Sequence, residues 1–280
     1  MPRLADMLDA KIINNCEIVV CDNVARYFYE MSDVIGGPEK QWSMEDFPNI
    51  APPFESVLFE WKTPKWIERT VQCETIGVLI SAEDHWRINQ KGFRWTLRLR
   101  PYGLGGFDKN GTSNFSGLEI SIAVNSDGSF AQGTLTEMNG VVVPDARVYA
   151  IVFQRYMWPS LLAMSFMHCK NVQLKTQIPP APLSKKYQKK TGRPLVKYKV
   201  LEIEPMKKVL RTEGQSETLG LKHALHICRG HFKDYSNGSG LFGKYKGLYW
   251  WESTVRGNPA NGVVIKDYNV NPPQDGSTVN

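Results

Sequence analysis

The chain has 280 residues, 42% hydrophobic and 22% charged. That balance belongs to a globular protein with its own core and excludes a disordered or fibrous chain. The net charge of +6 is unevenly spread: residues 1–60 hold 4 Lys/Arg against 11 Asp/Glu, and residues 183–211 hold 10 against 2, so a polyanion-facing surface is expected locally rather than all round.

The opening MPRLADMLDAKI has no apolar core of the kind a secretory signal carries. The five cysteines are scattered, with no CxxC spacing. They read as thiols of a reducing cytosol, and a cytoplasmic location is expected. Asn23 to Met31 reads as a short helix capped by Asn23 or Asp22, ended by Gly36-Gly37-Pro38. After a proline-rich stretch, Val57 to Trp61 reads as a strand, and Val71 to Ser81 as another. Phe93 to Arg100 alternates without a break: Phe93, Trp95, Leu97 and Leu99 share one face, and Arg94, Thr96, Arg98 and Arg100 the other. Leu118 to Val124 and Ser129 to Leu135 read as a hairpin around Asn125-Ser-Asp-Gly128.

A helix is expected from about 145 to 168. This is the most apolar run, yet it contains Arg147 and Arg155. Two arginines would cost roughly 5–7 kcal/mol in a bilayer, so a buried core helix bent at Pro159 is predicted, with no membrane partner. Strands follow at Asn171 to Gln177 and Val196 to Ile203. Between them IPPAPLSKKYQKKTGRP is read as an exposed loop or arm. The expected fold is α+β, a mostly antiparallel curved sheet packed against one long helix. The domain reading is an N-terminal α+β region at 1–177, a basic loop or arm at 178–195, a strand-rich region at 196–257 and a polar tail at 258–280. One continuous domain is the alternative.

The block from Lys222 to Gly257 crowds three histidines and several cations among seven aromatics. His223, His226, Cys228 and His231 are metal-ligand types, but their spacing fits no zinc signature, so neither metal nor cofactor is expected. Without metal, cleavage of an RNA phosphodiester through its 2′-hydroxyl needs a base, an acid and a cation. His226 and His231 supply the first two and Arg229 the third, with Lys233, Arg256 and Lys244 on the phosphates. Against this, nearby histidines more often hydrogen-bond within a core than meet in a site. Gly238 to Gly247 lacks P-loop spacing and reads better as a turn before an aromatic strand. Lys185, Lys186, Lys189, Lys190 and Arg193 would attract a polyanion nonspecifically. Arg94, Arg98 and Arg100 would form a basic strip, or simply a solvated face.

The C-terminal pattern RGHF…Y…LFGK…G…W…RG, with PPFESVLFEW at 52–61, SFMHCKNV at 165–172 and KKYQKKTGRPL…Y at 185–198, resembles a family of uncharacterised proteins of bacteriophages, prophages and other bacterial genomes. The resemblance implies a phage or mobile-element context, hence a bacterial host cytoplasm, and no chemistry. The expected function is nucleic-acid binding, RNA more than DNA, with metal-independent RNA cleavage as its catalytic form. The alternative is a non-catalytic phage protein that binds a host protein.

Overall fold

The structure is a computed structural model describing residues 3–32, 42–65, 73–85, 93–104, 112–114, 118–137, 156–206, 224–228, 230–252, 254–256 and 258–263. Two short helices open it, α1 (Leu4–Met7) and α2 (Ala10–Ile13), followed by β1 (Glu17–Val20) and α3 (Asp22–Ser32). A 3-10 turn at Met44–Asp46 precedes the strands β2 (Ser56–Lys62), β3 (Thr75–Asp84), β4 (Trp95–Leu104), β5 (Thr112–Asn114), β6 (Leu118–Val124) and β7 (Phe130–Glu137). Then come α4 (Trp158–Met167), β8 (Val172–Gln177), α5 (Ala181–Thr191) and β9 (Tyr198–Ile203). The C-terminal part holds β10 (Ala224–Cys228), β11 (His231–Asp234), β12 (Leu248–Trp251), β13 (Thr254–Arg256) and β14 (Asn258–Val263).

Nine strands form one sheet in the order β7-β6-β4-β3-β2-β1-β9-β8, with β5 paired to β4. From β2 to β7 it is an antiparallel meander, as the alternating strands and the hairpin predict. The exception is β1, which lies parallel to both β2 and β9. The α+β class holds and the sheet is mostly antiparallel. Four residues among helical signals did not announce a parallel strand inside the sheet.

Strand parity sorts the core into two faces. Val57, Phe59 and Trp61 join Leu97, Leu99 and Ile122 on the side covered by α3 and α4. Leu58, Leu79 and Tyr102 face the other way, under Leu4 and Leu8 of the N-terminal helices. Gly77 permits that second layer: a Cβ there would stand 2.3 Å from Leu4 Cδ2. The predicted alternation of β4 is realised, with Leu97 buried, Trp95 half-buried and Arg98 exposed.

One expectation is met only in part and another needs correction. The helix described in the apolar run is the ten-residue α4, with Pro159 in its first turn. Proline fits the first turn because no intrahelical partner awaits its missing N–H. Residues 145–155 lie outside the described residues. The basic segment read as a loop contains the helix α5, ended by Gly192 at φ 83° with its N–H on Gln188 O at 2.8 Å. Lysine and glutamine are good helix formers, Pro179, Pro180 and Pro182 sit before or within the first turn, where they are tolerated, and Pro194 follows the glycine stop. Among the described residues no helix is long and apolar enough to cross a membrane.

Candidate functional site

The aromatic C-terminal block folds as a two-stranded ribbon, β11 against β12. Asn171 docks it to the sheet. Its amide nitrogen donates to Glu204 O and Trp250 O, and its oxygen accepts from Trp250 N, at 2.8–3.0 Å. Alternation then splits the rings. Trp250 and Phe232 pack on Phe166 of α4, with centroids 4.7–5.1 Å apart. Tyr249 and Trp251 turn to a small cluster with Met206, Tyr235 and Tyr245. Three consecutive aromatics are thus divided between two packing surfaces, because a strand cannot point them all one way.

Where the ribbon meets α3 and the 3-10 turn there is a cleft of about 250 Å³. Tyr27, Trp42, Phe232 and Trp250 line it, together with Glu45, Asp46 and His231. Tyr27 is fixed by its hydroxyl, which donates to Gly230 O at 3.2 Å. Its ring stands at 79° to Trp250 and 82° to Trp42. Trp42 stacks on Phe47 at 9°. The acidic turn is held by a capping box in which Asp46 accepts the Ser43 backbone N–H at 2.9 Å.

Two of the predicted catalytic residues stand on different strands. His231 is exposed on β11 opposite Trp251, whereas His226 lies on β10 opposite Arg256, in a separate three-stranded sheet. Arg229 and His223 lie outside the described residues, as do the side chains of His226, Cys228 and Arg256. Lys233 and Lys244 are exposed and rest over the rings of Tyr235 and Tyr245, at 5.3 and 5.7 Å. The segment from Gly238 to Gly247 is a turn region, as its glycines predict. His168 is a structural histidine: Nε2 donates to Ala51 O at 2.9 Å, and burial holds its pKa below the usual value. Cys16, Cys21, Cys73 and Cys169 are free thiols, and burial pushes Cys169 up to about 12.

The two basic surfaces differ sharply. On β4, Arg94 pairs with Asp84, Arg98 with Glu83 and Arg100 with Glu119. The strip is largely neutralised across the strands and carries little charge for a phosphate backbone. On α5, Lys185, Lys186, Lys189 and Lys190 are all exposed, and none pairs with a carboxylate among the described residues. At about 100° per residue they span an arc of roughly 140°. The opposite side of α5 is the docked one. Tyr187 donates to Asp6 O at 3.1 Å, and Ser184 accepts from Leu195 N at 3.1 Å. Arg193, expected with the lysines, instead donates to Leu8 O at 2.6 Å and fastens the end of the segment to the N-terminal helices.

Sequence reading missed the buried acids that hold this arrangement. Asp6 accepts from Arg3 N and Val196 N, and Glu60 accepts from Ala5 N, at 2.9–3.0 Å. Burial pushes the Glu60 carboxyl up to about 7, against the pull of Arg3. It also missed the cleft residues Tyr27, Trp42, Glu45 and Asp46. The pattern Ser43-Met-Glu-Asp46 was the one available signal, a capping motif that marks a turn of helix and an acidic N-terminus. Comparison with family models, with curated proteins and with solved structures finds no match. What the chain defines by itself is an α+β protein with a charged helix on one sheet face and an aromatic cleft on the other.

Proposed function

We propose that the protein binds single-stranded nucleic acid, RNA in particular, through the lysine face of α5. The observation that supports this most is the contrast between two basic surfaces: the arginines of β4 are matched by carboxylates, while the lysines of α5 are left to solvent on a helix pinned by its other side. Unmatched, closely spaced cations gain from releasing phosphate counterions, and this term dominates nonspecific binding. A second group of exposed groups, Lys233, Lys244 and the 53% exposed ring of Phe242, suits a strand whose bases stack on aromatics. Binding is preferred to cleavage at His231 because its companions in the cleft are Glu45 and Asp46, which repel a phosphate.

The test is the salt dependence of affinity for a single-stranded RNA. The wild type should show a steep log–log slope. The variant K185Q/K186Q/K189Q/K190Q should lose about 0.7 of slope per contact removed, close to 3 in all. Absence of salt-sensitive binding by the wild type, or a variant with an unchanged slope, would overturn the reading.

A further inference from the structure

The loop between β11 and β12 carries a tight turn from Leu241 to Tyr245. Leu241 O accepts from Lys244 N at 3.1 Å and from Tyr245 N at 3.0 Å, and Leu241 N donates to Tyr245 O at 2.9 Å. The base of the turn is packed: Tyr245 is buried with Tyr249 and Met206, and Leu241 rests on the same cluster. The tip faces solvent. Phe242 and Gly243 both have positive φ, 53° and 70°. Turns that need positive φ at both central residues normally take Asn-Gly or Gly-Gly, because a Cβ in the left-handed region crowds the following carbonyl, at about 1–2 kcal/mol. Here the first of the two is phenylalanine, 53% exposed.

An exposed apolar side chain by itself is ordinary. Phe242 combines exposure with a backbone conformation that costs it stability, and among the described residues it is the only non-glycine with positive φ. Backbone strain of this kind is concentrated at positions that contact a ligand. The surroundings select the partner. Lys244 and Lys246, two and four residues on, are exposed, as is Lys233 on β11. Lysine is depleted from protein–protein interfaces, and one ring offers a bilayer little apolar area. Lysines beside a flat ring match a strand that presents a phosphate and a π face at every nucleotide. We propose that Phe242 stacks on an unpaired base of the bound strand, which makes the ligand single-stranded nucleic acid rather than any polyanion. This rests on the nucleic-acid reading above and adds a contact that charge does not provide. The pinned base of the turn holds the ring in place beforehand, so little ordering is lost on binding.

Two probes of equal charge separate stacking from attraction: an oligouridylate and an abasic oligomer with the same number of phosphates, each followed by fluorescence anisotropy with the full chain. The wild type should bind the oligouridylate about 5- to 100-fold more tightly. Phe242→Gly relieves the backbone and should melt no lower than the wild type. It should bind the oligouridylate about 5- to 100-fold more weakly and the abasic oligomer as before, with the salt slope unchanged. Phe242→Trp should keep the preference. Salt-sensitive binding by the wild type without preference for the base-bearing oligomer, or a Phe242→Gly variant that binds it as tightly as the wild type, would overturn the proposal and leave the α5 reading standing. A Phe242→Gly variant that loses only its hold on vesicles of anionic phospholipid would overturn it in favour of a membrane contact. Absence of salt-sensitive binding to either oligomer would overturn both readings.

Discussion

Glu60 is the residue on which the N-terminal layer turns. It sits on β2 facing the second sheet face, almost fully buried, with Ala5 N and Arg3 as its polar company and Asp6 and Asp22 adding repulsion. Its folded pKa of about 7 lies above the unfolded value near 4.5. Between those values the folded protein holds a proton that the unfolded chain has released. Stability therefore falls as pH rises through that window and levels off above it. The span corresponds to a stability change of order 3 kcal/mol as an upper bound. Urea denaturation across the window should show the fall in the wild type. In Glu60→Gln, whose amide oxygen still accepts from Ala5, the profile should be flatter and stability at higher pH greater. Parallel profiles for the two proteins would show that Glu60 is not the group responsible. No sequence pattern marks such a residue: Glu60 sits between Phe59 and Trp61 where alternation alone would put an ordinary outward-facing polar group. It is buried only because α1 covers that face.

At the scale of elements, α5 shows how composition misleads. The run of lysine and proline suggested an arm, yet the segment is helical and docked by Ser184, Tyr187 and Arg193. Its termination depends on Gly192 in the left-handed region, where a Cβ would meet nothing but would strain the backbone. Gly192→Ala should therefore cost about 1–2 kcal/mol, seen as amide exchange roughly 5- to 30-fold faster across α5. Unchanged exchange would mean the cap contributes nothing. β4 is the opposite case. Its period of two was fully legible, because one face is packed and the other bears charges, and the structure places each residue as that period requires. What the pattern could not show is that Arg94, Arg98 and Arg100 meet carboxylates from β3 and β6, since those partners come from other strands.

For the whole molecule, the attachment of the ribbon to the sheet is the informative feature. Asn171 joins β8, the residue after β9 and β12 through three hydrogen bonds made in a buried setting. Asn171→Ala would leave the Trp250 N–H and the carbonyls of Trp250 and Glu204 without those bonds, at about 1–3 kcal/mol for each buried group stranded. A loss of about 2–4 kcal/mol in urea denaturation is expected. A loss below about 0.5 kcal/mol would show that the ribbon is held by its rings alone. Sequence order gave no access to this level. His226 and His231 are five positions apart and yet belong to different sheets, whereas Asn171 and Trp250 are far apart in the chain and touch.

The placement of β1 inside the sheet, between β2 and β9, has a consequence for how the chain is made. One neighbour, β2, follows soon after it, but the other, β9, pairs Val200 with Val20 across 180 residues. A ribosome adding 5–20 residues per second would leave that side of β1 uncovered for roughly 10–40 seconds. Through that interval the nascent chain carries an open strand edge beside a finished antiparallel half-sheet, the kind of edge on which two growing chains can zip together. The arrival of β9, with the lysine-faced helix immediately before it, covers that side of β1 and moves the edge of the sheet out to β8, a strand whose neighbour in the chain is a helix of like charges.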